Sequence, residues 1–303
     1  MKRNRPNEKT EPWTHYWKNA TKDSSGCIPG APASVADLFQ EIWANFFKTL
    51  PRGARLLDLG TGGGAVLREA QARRQDIHLT GVDFAKVLPD LGEKVAMFPN
   101  TCLEKLPFED GSFDVITSQF AIEYASFSQA MSEIKRVLTP GGRFFFLCHN
   151  ADSIIVRDNI KRLAAIRDLL ASSGLLNGAI QVVKQKKTLL PKKQKYLAQL
   201  FRTVQSKHPE QPLINEIAER IAGLMTEAGG LQKLLLLRRD VEMEGRRITA
   251  LKVSALRLSQ LQNFCSQLSS PNRSVQHSTV FVPGTKIPLA WSVKSERSQE
   301  NVL

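Results

Sequence analysis

Arg55-Leu-Leu-Asp-Leu-Gly-Thr-Gly-Gly-Gly64 is the stretch from which the fold is read. A short β-type run meets a glycine-rich turn, and a helical pattern then continues to about Arg74. Ile77-His-Leu-Thr-Gly-Val-Asp83 is a second strand ending on an acid. A helix is expected from about Phe84 to Glu93, then a weak third strand at Val95–Phe98. Phe113-Asp-Val-Ile-Thr-Ser118 is a fourth strand, followed by a helix over Phe127–Leu138. Thr139-Pro-Gly-Gly142 is expected to turn into a fifth strand, Arg143–Cys148. Strand, helix, strand at this spacing means right-handed crossovers and a parallel sheet. In a doubly wound sheet the glycine turn falls at the carboxyl edge of the strands, beside the switch point where ligands bind.

Outward from this core the patterns change. Towards the N-terminus, a charged, Pro-containing tail to about residue 12 is expected to be mobile. Trp13, Tyr16 and Trp17 follow as a short aromatic helical face. Gly26–Pro32 reads as a loop. Val35, Leu38, Phe39, Ile42, Trp43, Phe46, Phe47 and Leu50 mark an amphipathic helix, with Ser34 as its expected N-cap and Pro51 past its end. Beyond residue 152 the periodicity is helical. Ile155 to Leu170 and Leu213 to Leu224 mark two helices, and a third pattern runs from Leu231 through Phe264, with a break expected near Gly245. Ser278–Val282 and Pro288–Lys294 read as two last strands joined through Pro283-Gly284. The expected division is a helical cap at 1–51, a core at 52–150, a basic helical insertion at 151–250, and a last helix with strands at 251–303.

Composition excludes several classes. The 303 residues carry 42 Lys and Arg against 29 Asp and Glu, a net charge of +13. The longest apolar runs, Phe144–Cys148 and Leu234–Leu237, are far below the ~20 residues that span a bilayer. Met1-Lys-Arg-Asn-Arg-Pro6 lacks a following apolar region, so no secretory signal is read there. Cys27, Cys102, Cys148 and Cys265 lie far apart, which argues against a zinc ribbon or disulfide framework and fits a reducing cytosol. A cytoplasmic protein without a metal is expected. The excess charge is local: residues 151–275 hold 21 basic and 10 acidic side chains, whereas residues 51–150 hold 11 and 12.

The glycine turn is the candidate site. Gly60 and Gly62 allow backbone conformations closed to other residues and let a ligand lie against the main chain. Asp83, at the end of the second strand, is placed to accept hydrogen bonds from ribose hydroxyls. A dinucleotide would call for G-x-G-x-x-G, yet the glycines run Gly60-x-Gly62-x-Gly64 and position 65 is Ala. Asp58, two residues before Gly60, would repel a diphosphate and suits a cationic ligand end. These features point to a nucleoside carrying an amino acid.

Leu56-Leu-Asp-Leu-Gly-Thr-Gly-Gly-Gly64 resembles motif I of the class I S-adenosylmethionine-dependent methyltransferases. Leu106-Pro-Phe-Glu-Asp-Gly-Ser-Phe-Asp-Val115 is similar to a stretch of their type 11 subgroup, and Val137-Leu-Thr-Pro-Gly-Gly-Arg143 to the turn before its fifth strand. The likeness covers about residues 52–149 and resumes with the last two strands. It implies a Rossmann-like, doubly wound, mostly parallel seven-stranded sheet with an antiparallel last strand, plus a helical lid insertion. It also implies S-adenosyl-L-methionine as cofactor, with Gly60, Thr61, Gly62 and Gly64 facing its methionine part and Asp58 near the ammonium. Asp83 would hold the ribose, Phe84 would lie beside the adenine, and Cys102 and Leu103 would receive the adenine edge. Ser118, Gln119 and Phe120 would line the donor pocket. Many relatives carry an acid where Cys102 stands; a thiol is a poor acceptor.

Methyl transfer from a sulfonium needs alignment above all, and a hydroxyl or protonated amine acceptor also needs a base. His149, directly after the fifth strand, is the best-placed candidate, with a cap or packing role as its alternative. His15 and Tyr16, on the aromatic helix, are further substrate-side candidates. The [ND]-P-P-[YFW] signature of amino-group enzymes is absent, since Ser118-Gln-Phe-Ala121 stands there. Cys148 reads as a buried strand cysteine. The expected acceptor is small or medium-sized, an acidic one included; RNA or protein bound through the basic insertion is an alternative, as is a catalytically silent binding module. A nicotinamide oxidoreductase is disfavoured by Asp58 and Ala65. Neither the acceptor nor the oligomeric state follows from the sequence.

Overall fold

The structure, a computed structural model, describes residues 6–19, 33–185 and 190–297. Cys27, the Gly26–Pro32 loop, and Lys186 and Lys187 of the lysine-rich stretch lie outside the described residues. The chain divides into two compact units, Met1–Val156 with Val253–Leu303, and Arg157–Lys252. In chain order the elements are α1 (Pro6–Asn19), α2 (Ala33–Lys48), β1 (Arg55–Leu59), α3 (Ala65–Arg73), β2 (His78–Val82), β3 (Val95–Phe98) and β4 (Phe113–Gln119). A 3-10 turn, Ile122–Tyr124, leads to α4 (Phe127–Val137) and β5 (Leu138–Cys148). The helices α5 (Ile154–Leu170), α6 (Leu175–Lys184), α7 (Leu190–Lys207), α8 (Pro212–Thr226) and α9 (Gly230–Ser254) follow. The chain closes with α10 (Leu258–Leu268), β6 (Arg273–Phe281) and β7 (Pro288–Arg297).

The sheet is seven-stranded in the order β3-β2-β1-β4-β5-β7-β6. The strands from β3 to β5 pair in parallel, and β7 runs antiparallel to both β5 and β6. This is the Rossmann-like arrangement expected. Side chains alternate across the sheet with the period of two that a strand imposes. Phe144 and Phe146 join Leu57, Leu59 and Ile116 on one face, packed with Ile134 of α4 and Phe264 of α10. Phe145 and Leu147 point the other way, to Leu56 and Val115, and pack with Phe47 of α2 and Leu67 of α3. Trp43 of α2 anchors that second face edge-on to Phe145. The register sets the site: Leu59 lies opposite both Val82 and Ser118, and Gln119 opposite Leu147. Gly60, Asp83, Phe120 and His149 therefore leave the sheet at one edge.

Five local expectations change. The N-terminal helix starts at Pro6 and includes Pro12, because packing of Trp13 and Trp17 against the sheet unit outweighs poor propensity. Ser34 lies inside α2, which begins at Ala33. No helix forms over Phe84–Glu93: Pro89 disfavours helical backbone at Leu88, and Gly92, at φ +86°, donates its N–H to Asp90 Oδ1 in a turn. Thr139-Pro-Gly-Gly142 lies within β5, where the pairing with β4 jumps from Phe113–Leu138 to Val115–Arg143. α9 runs unbroken through Gly245, where a Cβ would stand 3.0 Å from Ile166 Cγ2. That glycine serves the close approach of two helices.

The Arg157–Lys252 unit is helical, with its own core of Leu163, Ile166, Leu169, Leu176, Ile180, Ile217, Leu234 and Ile248, among others. His208 Nε2 lies 2.8 Å from Asp168 Oδ2, tying the end of α7 to α5. The buried Arg247 guanidinium pairs with Glu244, which also accepts from Arg162 at 3.3 Å. The unit holds 19 basic and 9 acidic side chains, a net charge of +10.

Candidate active site

The turn after β1 works because its glycines sit where other residues would be strained. Gly60, Gly62 and Gly64 have φ of +65°, +49° and +77°. A Cβ on Gly60 would stand 2.2 Å from Ala121 Cβ, so the turn abuts the segment after β4. Asp83 clasps the turn from β2: its Oδ2 accepts the Gly62 N–H at 2.8 Å and its Oδ1 the Ala85 N–H at 2.7 Å. Burial raises the Asp83 carboxyl above its usual range, against the lowering pull of the Ala85, Gly62 and Phe84 amides. Phe84 is half-buried beside it.

Asp58 lies fully enclosed beneath the turn. Thr117 donates its hydroxyl to Asp58 Oδ1 at 2.8 Å. Burial pushes the Asp58 carboxyl up to about 7, while the Thr117 and Thr61 hydroxyls pull it down and nearby Asp83 adds to the rise. Ser118 Oγ donates to the Leu59 carbonyl at 3.0 Å and accepts the Ile122 N–H at 3.2 Å, locking β4 to β1. Gln119 Oε1 accepts the indole N–H of Trp43. Phe120 has a left-handed backbone, φ +56°, held by its N–H on the Leu147 carbonyl at 2.7 Å.

On the other rim, Cys102 Sγ donates to Glu104 Oε2 at 2.6 Å, and Glu104 Oε1 accepts the Ser126 N–H at 2.8 Å. An acid therefore does stand at this edge, two residues after Cys102. Leu103 packs partly buried against the core. Cys148 is fully buried, which pushes its thiol well above the usual range.

His149 follows β5 and is 1% exposed. Its backbone is fixed because its carbonyl accepts the Leu256 N–H at 2.8 Å. Glu123 Oε1 accepts both the backbone N–H of His149 and a contact from its Nδ1, each at 2.7 Å. The Phe120 ring lies 4.4 Å from the imidazole, and Tyr124 stands edge-on at 6.0 Å. Trp13 of α1 meets Tyr124 edge-on at 5.0 Å, and Lys86 donates its backbone N–H to Thr14 Oγ1. One turn on, Trp17 lies over the glycine turn: a Cβ on Gly62 would fall 2.2 Å from its Cζ2. His15 and Tyr16 are half-buried on the same helix, with Tyr16 edge-on to Trp17.

The family described as Methyltransferase domain matches residues 57–146, which run from β1 into β5. Residues 57–146 thus match a methyltransferase domain. Among curated proteins the chain is similar to a ubiquinone/menaquinone biosynthesis C-methyltransferase of Geotalea daltonii, 34% identical over 151 residues that cover 45% of this chain and 63% of that protein. It is also similar to a demethylmenaquinone methyltransferase of Deinococcus radiodurans, 35% identical over 101 residues, covering 31% of this chain and 42% of that protein. A malonyl-[acyl-carrier protein] O-methyltransferase of Erwinia billingiae is 32% identical over 114 residues, covering 36% and 44%. The chain thus spans less than two thirds of the length of these relatives.

The structure gathers Asp58, the glycine turn, Asp83 and Phe120 of the matched region, with His149 just beyond it, at one sheet edge. Three participants escaped sequence reasoning. In the sequence Trp17 is one residue of an aromatic helical face, and nothing local announces that it covers Gly62. Glu104 stands two residues past the position at which the resemblance would place an acid. Glu123 could have been found as the one acid between Ser118 and Ser126, beside the strand end that leads to His149.

Proposed function

We propose that the protein transfers a methyl group from S-adenosylmethionine to a small or medium-sized acceptor. The observation that carries this reading is the glycine turn clasped by Asp83 and backed by buried Asp58, inside a matched methyltransferase domain. The donor set fits the cofactor. Asp83 uses two of the roughly four acceptor directions of a carboxylate, leaving capacity for ribose hydroxyls. Asp58 suits the ammonium of the methionine part, and Glu104 offers the adenine amino group the acid that Cys102 does not. When bound, S-adenosylmethionine supplies a methyl group already activated on a sulfonium. The chain's own part is to align it and exclude water, and Trp17 must leave the face of Gly62 for the methionine part to seat there.

The acceptor atom is open among the relatives, whose names include both carbon and oxygen methyltransferases. Oxygen or nitrogen is the reading favoured. RNA is the second reading, favoured by the net +10 of Arg157–Lys252. Isothermal titration with S-adenosylhomocysteine tests the cofactor site: micromolar binding that Asp83→Ala reduces at least tenfold is expected, and no binding overturns the proposal. Radiolabelled S-adenosylmethionine incubated with fractionated cell extract tests the acceptor. Label in small molecules supports the first reading; label in RNA supports the second.

A further inference from the structure

The Glu123–His149 pair is built more closely than a strand-end histidine requires. Both side chains are buried, at 1% exposure or less. Glu123 Oε1 is committed twice to His149, once to the backbone N–H and once to Nδ1. A carboxylate only accepts, so Nδ1 carries the proton and Nε2 presents its lone pair. Among the described residues, neither His149 Nε2 nor Glu123 Oε2 has a hydrogen-bond partner. Leaving such atoms unpaired is costly, so folded proteins rarely do it without use. The imidazole is flanked by the rings of Phe120 and Tyr124, and Tyr124 by Trp13. The same 120–124 segment abuts the glycine turn through Ala121 against Gly60.

Resting on the methyltransferase reading, we infer that His149, positioned by Glu123, is the general base for an aromatic hydroxyl acceptor that lies among Phe120, Tyr124 and Trp13. His149 Nε2 takes the hydroxyl proton, and the O–H electron pair stays on oxygen. The phenolate oxygen bonds to the methyl carbon as the methyl–sulfur bond of the donor breaks, both electrons going to sulfur. Sulfonium becomes thioether, and the imidazolium returns its proton to solvent as product leaves. Glu123 is a positioning residue: it fixes the tautomer and offsets the charge that His149 gains. The flanking rings fit a flat apolar body, and the unpartnered Nε2 fits its single acidic O–H.

The probe is 2-naphthol with the full-length protein. With S-adenosylhomocysteine bound, 2-naphthol is expected to bind and to move the ring-nitrogen NMR signal of His149 Nε2. With S-adenosylmethionine, 2-methoxynaphthalene forms. His149→Phe lowers that rate by at least ~10²-fold, within the range for general acid–base catalysis, while S-adenosylhomocysteine affinity stays within about threefold. Glu123→Gln lowers kcat more than it alters KM, and changes the tautomer seen by NMR. Glu123→Asp restores part of both. In the wild-type protein, an NMR spectrum with the proton on Nε2 instead of Nδ1 overturns the inference without any variant. So does 2-naphthol that neither binds nor is methylated by protein that binds S-adenosylhomocysteine, or a His149→Phe rate equal to wild type. Failure to bind S-adenosylhomocysteine overturns the methyltransferase reading itself.

Discussion

Asp58 carries opposing demands at the scale of one residue. Its carboxyl is enclosed and pushed up to about 7, against about 3.8 in an unfolded chain. Between about pH 4 and pH 7 the unfolded chain therefore sheds the proton first, and ligand-free stability falls as pH rises through that window. Asp58→Asn keeps an acceptor for the Thr117 hydroxyl and removes the ionisation. Urea unfolding at pH 8 should show the ligand-free variant more stable than wild type by roughly 2–4 kcal/mol, the order set by the change in carboxyl value. The same variant should bind S-adenosylhomocysteine at least tenfold more weakly, and wild-type affinity should decline as pH falls below 7, both read by calorimetry. An unchanged pH 8 stability contradicts this account of Asp58. Gly60 is constrained differently: its left-handed φ and the 2.2 Å approach of Ala121 leave no room for a Cβ. Gly60→Ala should destabilise the fold by about 1–3 kcal/mol in urea unfolding, as strained and overpacked sites do.

Among the elements, α1 is the one most legible in part and least legible in consequence. Its Trp13, Tyr16 and Trp17 spacing announces a helix with one aromatic face. What that face covers depends on two contacts far apart in sequence, Trp13 with Tyr124 and Trp17 with the Gly62–Gly63 backbone. S-adenosylhomocysteine should therefore change tryptophan fluorescence, and Trp17→Phe should remove most of that change while Trp43, enclosed against Phe47 and Phe145, contributes little. A signal unaltered in Trp17→Phe means that α1 stays in place when ligand binds. The segment after β2 teaches the converse lesson. Its apolar spacing reads as helical, yet Pro89 and the Asp90–Gly92 turn decide otherwise, and Leu91 ends against Gly64. Periodicity records which residues seek burial; it does not record that a proline has removed the helix as the means.

For the whole molecule, the net +13 separates into a near-neutral sheet unit and a helical unit of +10. Retention on a polyanionic resin should follow the second. Replacing Lys192, Lys193 and Lys195 by Glu should lower the salt needed for elution while leaving S-adenosylhomocysteine affinity unchanged. Equal loss of both contradicts the separation of charge from cofactor binding. Ligand bound at the glycine turn stabilises the folded protein by RT ln(1 + [L]/Kd), about 2.7 kcal/mol at a hundredfold excess over Kd.

The alternation of β-runs, glycines and helical faces determined the sheet, its parallel core and the turn that announces the site, because these follow from local periodicity and from what only glycine can adopt. The acid at Asp83 was readable for the same reason: it ends a strand at a fixed distance from the turn. Tertiary structure alone decided that Glu123 holds His149, that Thr117 meets Asp58 and that Trp17 lies on Gly62. Each joins residues at least 26 positions apart. Such contacts depend on strand register and on how the chain returns across the sheet edge, and neither is encoded in the spacing of neighbouring side chains.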